Sequence, residues 1–368
     1  MKATVAAVHT LPVSLDVRPE LVVRGARGSH ARSDFLLVRV VTSDDVVGYG
    51  EVSATPIWSG EDGHSAEHFV RDVLSPALVG QPLAPVGRLD DLMDRSLAGN
   101  PFTKAGLSTA LWDAYARTLG EPLAVALGGA YRTRVPIKLS LSGDGAALDA
   151  VLDAARAVGF GAFKVKVGLG VAGDLARFAR AREVAGPDAF LGADANGGWT
   201  RREAAQAVPV LARLGSRFIE QPVGPADVDG LRDLRGAGLP VVADEAVFDM
   251  ADLVRLVRAE AADCVSLYVG KSGGPGRAVA MGQLAAAFGV ETVIGSNGEF
   301  GVGAAAQLHV ACALAALSTE FPSDIIGAHY YTEDVLARPL DSDGATVRLG
   351  AEPGLGVVPR DDLVARFR

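Results

Sequence analysis

From about residue 135 onward the chain keeps a rhythm that few folds accommodate. Short β-branched runs alternate with helical stretches rich in Ala, Leu and Arg: "VPIKLSLSG", "GAFKVKVG", "AFLGADANG", "SRFIEQP", "LPVVADEA", "ADCVSLYVGKSGG", "GVETVIGSN" and "LAALSTEF". These are eight strand candidates, seven of them followed by helix-like sequence. Toward the carboxyl ends of the later seven stand Lys166, Asp194, Glu220, Asp244, Lys271, Ser296 and Glu320, at intervals of 28, 26, 24, 27, 25 and 24 residues. A strand with its return helix needs about that length, and parallel crossovers of one hand curl a sheet one way. Eight such units close into a barrel that builds its chemistry at the carboxyl ends of the strands. The expectation is an α/β fold, a modified TIM barrel of (β/α)7β type, over residues 131–325.

The stretch before it reads differently. "ATVAAVHTLPVSL" and "DFLLVRVVTSDDVVGYGEVS" alternate as strands, the second with an Asp-Asp turn between two β-rich runs. In "TKAGLSTALWDAYARTLG", Leu107, Leu111, Tyr115 and Leu119 recur at four-residue steps and Gly120 supplies a stop. Residues 1–130 are expected to form an α+β amino-terminal domain.

Composition narrows the function. A net charge of −9 argues against a nucleic-acid binder. Two cysteines, Cys264 and Cys312, make no disulfide framework and fit a reducing cytoplasm. No stretch is long and apolar enough to span a bilayer, and the amino terminus lacks a signal-peptide core. "GLGVAG" (168–173) matches a dinucleotide-binding glycine pattern. The two lysines in the strand before it do not suit a buried first strand of that fold. A βα loop, with Asp174 capping the next helix, is the better reading.

Lysine usage marks the site. Only six of the 35 basic residues are Lys, yet Lys164, Lys166 and Lys271 are half of them. Positions i and i+2 of a strand share a face, so Lys164 and Lys166 point together. Crowding and burial are expected to lower their pKa values and to give a base near neutral pH. Asp194, Glu220 and Asp244 end the next three strands. Their carboxylates would repel without a cation, and a hard divalent metal resolves the conflict while leaving positions for water and substrate. Asp244 and Glu245 are adjacent, and strand spacing alone does not choose between them. Lys271 follows on the next strand, so lysines flank the acids on both sides.

The set "KVK" (164–166), "DAN" (194–196), "EQP" (220–222), "ADE" (243–245) and "KSGG" (271–274) resembles the enolase superfamily, muconate lactonizing enzyme subgroup. The resemblance covers nearly the whole chain, and it implies that residues 1–130 are an α+β capping domain to which residues 326–368 return. It implies that Asp194, Glu220 and Asp244 bind Mg²⁺ or Mn²⁺, and it implies Lys166 as acid/base, Lys164 as its modulator and Lys271 as the acid/base of the opposite face. The implied chemistry is abstraction of a proton alpha to a carboxylate through an enediolate. A non-catalytic barrel would have lost a ligand or a base, and none of these six is missing.

"LSTEFPSDIIGAHYYTEDVL" (317–336) resembles muconate cycloisomerases, with Glu320 at their eighth-strand Glu. The Asp-x-Asp pair of dipeptide epimerases is absent at Thr319–Phe321. "SNGE" (296–299) departs from the cycloisomerase pattern toward a smaller, more polar wall. A muconate cycloisomerase-like isomerase leads. An amino-acid or hydroxyproline-type racemase, epimerase or dehydratase, with Glu320 meeting a substrate amine, is the alternative. Candidate substrate contacts are Asn196, Glu245, Ser296, Asn297, Glu299 and Glu320, with Arg24 and Trp58 from two loops of the cap; Arg27, His30 and Arg32 share the first of these loops. The expected partners are a small carboxylate substrate and further copies of the chain, with no nucleic acid and no membrane.

Overall fold

The computed structural model describes residues 3–368. Its cap is a meander of β1 (Val5–Asp16), β4 (Arg32–Thr42) and β5 (Val47–Val52), antiparallel and in that order. The Asp-Asp turn joins the last two, with Asp45 in the left-handed region at φ 63°, where Asp is tolerated. Between the first two strands, β2 (Val23–Gly25) and β3 (Gly28–His30) form a small hairpin.

Helix Pro101–Leu119 lies on this sheet and ends at Gly120, φ 73°. The stripe of large residues is only partly what buries it. Leu107 and Leu111 are buried, Tyr115 is half-buried and Leu119 is exposed. Small residues carry the closest contact. A Cβ on Gly48 would stand 2.1 Å from the Ala110 carbonyl oxygen, and one on Gly50 would stand 2.0 Å from that of Gly106. Backbone thus presses on backbone, which only glycine permits.

The barrel sheet runs β7 (Leu139–Leu141), β8 (Ala162–Lys166), β9 (Phe190–Asp194), β10 (Ile219–Glu220), β11 (Val241–Ala243), β12 (Cys264–Leu267) and β13 (Glu291–Ile294), parallel and in sequential order. Short β6 (Arg134–Pro136) precedes it and pairs with β14 (Thr346–Arg348) of the carboxyl-terminal segment. Leu, Ile, Val, Phe and Ala of the sheet and its surrounding helices form one continuous core, as a parallel sheet covered on its faces requires.

The expected eighth strand is not a regular one. Residues 316–324 instead bond irregularly to both edges of the sheet. Ser318 N donates to Thr292 O at 2.7 Å and Asp324 N to Ile294 O at 2.7 Å on one side. On the other, Lys138 N donates to Ser323 O at 3.0 Å and Ser323 N to Pro136 O at 2.9 Å. Pro322 has no N–H to give a ladder. The carboxyl terminus then rejoins the cap, where Thr10 and Arg368 exchange backbone bonds of 2.9 and 3.1 Å.

The "GLGVAG" stretch is a βα loop, with one correction. Helix Val171–Ala185 begins after Gly170, so Asp174 is not its N-cap. From inside the first turn its buried carboxylate reaches back to the amides of Gly168, Leu169 and Gly170 and to Trp199 Nε1. The amides that would have cradled a phosphate are already spent.

Helix Gly301–Ala313 is buried on every side. His309 lies within it, and its Nδ1 accepts from Ala124 N at 3.0 Å. Burial pushes the imidazole down to about 4. A group depressed in the folded state contributes stability that is present above its unfolded pKa and lost as pH falls toward the folded one. Between pH 6.5 and 4 this loss is on the order of 3 kcal/mol. His309→Gln should therefore flatten the fall of the unfolding midpoint across that window, as read by chemical denaturation; an unchanged slope would contradict it.

Candidate active site

The carboxyl ends of the strands gather the charges. Lys164 and Lys166, two apart on β8, both face the mouth of the barrel. Lys164 Nζ donates to Glu220 Oε1 at 2.8 Å and Asp324 Oδ2 at 3.1 Å, and lies 3.5 Å from Asp194 Oδ2. Lys166 Nζ donates to Asp194 Oδ2 at 2.7 Å and Asn196 Oδ1 at 2.9 Å. The register sets this: Lys166 stands opposite Asp194, and Asp194 opposite Glu220.

Lys271 lies past the end of β12, in a turn rather than on the strand. The turn folds back, so that Nζ reaches Asp244 Oδ1 at 2.5 Å, Asp244 O at 2.8 Å and Ser266 O at 3.0 Å. It also sits 4.1 Å from the centre of the Tyr268 ring, a cation–π contact made strong by burial. Tyr268 Oη donates to Asp244 Oδ2 at 3.0 Å.

Asp244 and Glu245 are both buried here. The alternation that would turn one of them outward stops with β11 at Ala243. Glu245 Oε1 accepts from Asn196 Nδ2 at 3.0 Å and pairs with Arg27 at 3.2 Å. Its Oε2 is buried with no partner. Asn196 and Gln221 hold left-handed backbones, φ 45° and 34°. Strain of this kind persists where the surroundings over-determine it. Gln221 shows how: its Oε1 accepts from the amides of Asp244 and Ala246 at 3.0 and 3.1 Å and so fixes the "ADE" turn.

Electrostatics corrects one expectation. Burial alone would lower Lys164, but Asp324, Glu220, Asp194 and Asp244 outweigh it and hold its pKa well above the ordinary value. Its nearest neighbours are acids, so Lys164 stays an ammonium. Asp194 shows the converse. Burial pushes it up, yet Lys166 and Lys164 bring it down to about 2. Burial raises Glu220 to about 7 against the pull of Lys164, and raises Glu245 to about 8 with Asp244 and Asp194 adding to the effect.

Among the described residues, no three acidic, His or Cys side chains close on a common point. Lys164 lies between Asp194 and Glu220, and Lys271 with Tyr268 takes both oxygens of Asp244. The donor set nevertheless fits a hard divalent cation. Asp194, Glu220 and Asp244 are carboxylates at the carboxyl ends of adjacent strands, all buried, and a fourth, Glu245, follows directly with a bare oxygen. Filling the set would need the acids to turn from their lysine partners.

The cavity over these groups is lined by Lys164, Lys166, Ser296, Asn297, Asp324 and Tyr268 from the barrel. Val17, Leu21, Val23, His30 and Trp58 cover it from the cap, and Ile326 and Tyr330 from the carboxyl-terminal segment. Trp58 packs on Tyr268 with ring centres 6.1 Å apart and lies under Arg27. Glu299 stands behind the wall rather than on it, accepting from Ser296 Oγ and from Asn297 N.

Two further sequence candidates fall outside. Glu320 is half exposed and pairs with Arg217 at 2.9 Å, before the start of β10 and at the opposite end of the barrel from the lysines. The carboxylate at the site is Asp324, four residues later, with Pro322 two positions before it, so an Asp-x-Asp pair is absent here too. Arg24 is exposed; in its hairpin Val23, Gly25 and Arg27 turn inward. Arg32 is also exposed, pairing with Asp34 and Asp16. Sequence reasoning passed over Lys138, buried and donating to Pro322 O at 2.6 Å while pairing with Asp324 at 2.9 Å. A lysine in the apolar run "PIKLSL" was the available signal.

A lysine-flanked acid cluster at the mouth of a capped parallel barrel defines a class of enzyme, and the comparisons agree. Residues 7–128 match the mandelate racemase/muconate lactonizing enzyme N-terminal domain, and residues 146–363 match the enolase C-terminal domain-like family. The chain belongs to the mandelate racemase/muconate lactonizing enzyme family of the enolase superfamily. It is 30% identical to an N-succinyl-L-Arg/Lys racemase of Bacillus cereus over 98% of this chain and 96% of that one. It is 32% identical to muconate cycloisomerase 1 of Rhodococcus opacus over 95% and 94%. The structure matches a muconate lactonizing enzyme from Pseudomonas fluorescens complexed with muconolactone, with a TM-score of 0.93, 27% identity and 100% of both chains covered. Enzymes of this family generally use a divalent metal.

Placement separates the two acids of the eighth segment by experiment. Glu320→Ala should leave turnover within about 2-fold, as an exposed pair contributes little. Asp324→Asn, which unbalances two buried ammonium groups, should lower it by more than about 10-fold. The reverse order would restore Glu320 to the site.

Proposed function

We propose that the chain moves the proton next to the carboxylate of a small organic acid, with Lys166 and Lys271 serving the two faces of the bound substrate. The observation that carries this reading is their position: one at the end of β8, the other after β12, with Asp194, Glu220 and Asp244 at the ends of the strands between. Those three acids would hold Mg²⁺ or Mn²⁺. Such an ion, when bound, would supply positive charge beside the substrate carboxylate and so favour loss of the neighbouring proton. Lys164, kept charged by its acidic neighbours, adds to that field. Leu21, Val23 and Trp58 exclude water above the site.

Racemisation or epimerisation suits this layout best. One lysine takes the proton and the other returns it from the opposite face. The inward arginine of the hairpin, Arg27, is already paired with Glu245, and Arg24 is turned outward, so neither is aimed at a second carboxylate. Cycloisomerisation of a muconate-like diacid is the second reading. It is favoured by the apolar cover of Val17, Leu21, Val23, Trp58 and Ile326 and by the whole-chain likeness to the enzyme solved with muconolactone. The buried free thiols of Cys264 and Cys312 accord with a reducing compartment such as the cytoplasm.

The readings separate in D₂O with Mg²⁺ present, using N-succinyl-L-arginine, L-Ala-L-Glu and cis,cis-muconate as probes. Racemisation or epimerisation predicts deuterium uptake at an α-carbon with inversion. Lys166→Ala and Lys271→Ala should each lower interconversion by at least about 10²-fold. Each should keep exchange only in the isomer whose proton faces the surviving lysine. Mg²⁺-dependent loss of diene absorbance from muconate, without α-exchange in the other two, would hand the case to cycloisomerisation.

A further inference from the structure

The wall of the cavity at Ser296–Gly298 is held from behind by the cap. Glu51, in β5, is buried and reaches across the seam. Its Oε1 accepts from Phe300 N at 2.7 Å and its Oε2 from Gly303 N at 2.8 Å, at the start of the helix that follows the wall. Ser53 Oγ donates to the same carboxylate at 2.7 Å, and Asn297 Nδ2 donates to Ser53 O at 2.6 Å. One edge of the cap thus bonds to the wall at Asn297 and to the helix start just beyond it at Phe300 and Gly303.

Three observations give this contact a purpose beyond packing. First, β5 cannot yield, because Gly48 and Gly50 press it onto helix Pro101–Leu119 at backbone distance. Second, the join is tight: a Cβ on Gly303 would meet Glu299 Cβ at 2.8 Å and Glu51 Oε1 at 3.0 Å. Third, the acid is kept there against a cost. Burial pushes Glu51 up to about 8, Ser53 and the two amides hold it back, and nearby Glu299 adds to the rise. Both acids line one small cavity, and the Gln307 Oε1 that also lines it is buried without a partner. Among the described residues no lysine or arginine offsets the pair.

We propose that Glu51 is a positioning residue that sets substrate selection by fixing the Ser296–Gly298 wall to the rigid face of the cap. It touches no substrate; it acts through Asn297 and the start of helix Gly301–Ala313. The proposal rests on the reading above only in taking the lysine-lined cavity as the substrate site.

The test uses the full chain and two variants. Glu51→Gln keeps size but turns one acceptor into a donor facing an amide. Glu51→Asp keeps both oxygens and withdraws them by one methylene. Amide hydrogen exchange read by mass spectrometry should show protection over residues 296–303 falling roughly 10-fold or more in both, while residues 101–119 stay protected. Among N-succinyl-L-arginine, L-Ala-L-Glu and cis,cis-muconate, the probe turned over fastest should show KM raised roughly 10-fold with kcat within about 3-fold, the pattern of lost binding rather than lost chemistry. Unchanged protection at 296–303, or equal loss across 101–119, would overturn the proposal. If the parent turns over none of the three, the reading of function fails, and the exchange experiment still decides the role of Glu51.

Discussion

Asp194, Glu220 and Asp244 are almost wholly buried, and carboxylates at that depth must be compensated or neutralised. Much of the barrel mouth follows from this one constraint. Lys164 lies between two of them, Lys166 shares the Asp194 Oδ2 oxygen with it, and Lys271 closes on Asp244. Asp324 and Lys138 extend the alternation of sign around the first strand, and Arg27 with Glu245 extends it into the cap. A buried ion network of this kind is weak evidence for stability, since apolar side chains of the same volume would serve as well or better. It is strong evidence for a site.

Much of this was legible from residue types and spacing. Strand rhythm located the carboxyl ends, and the i, i+2 rule placed both β8 lysines on one face. The failures have physical causes. Periodicity could not choose between Glu320 and Asp324, because an interval of 28 from Ser296 fits the series as well as 24. The eighth segment, interrupted by Pro322, offers no ladder from which to count. Arg24 and Arg27 lie in a hairpin without the apolar alternation that would phase it. Asp244 and Glu245 both turn inward because the strand ends just before them. The lowered lysine pKa was expected from two lysines alone, whereas the acids that oppose it arrive from other strands.

The seam between cap and barrel carries what neither half carries alone. The barrel supplies charge; the cap supplies cover and, at Glu51 and Ser53, the attachment of one wall. The glycines of β5 are where sequence, packing and function meet. They admit helix Pro101–Leu119 to backbone contact, which makes the strand rigid enough to act as a reference for the pocket. Tyr331 of the carboxyl-terminal segment ties the same wall from the other side, donating to Gly298 O and sharing a hydrogen bond with Ser33 of the cap at 2.6 Å. Gly298 itself has φ 78°, and a Cβ there would stand 3.3 Å from the Tyr331 hydroxyl, so the small residue in this wall accommodates the tie.

The proposed function depends most on Asp194, Glu220 and Asp244 serving as one divalent-cation site. Calorimetric titration of Mg²⁺ into the metal-free protein, beside Glu220→Gln, tests it most directly. The account predicts one ion per chain in the parent and affinity lower by at least about 10-fold in the variant, which loses one of three anionic donors. No Mg²⁺ binding in the parent, or equal affinity and stoichiometry in Glu220→Gln, would contradict it.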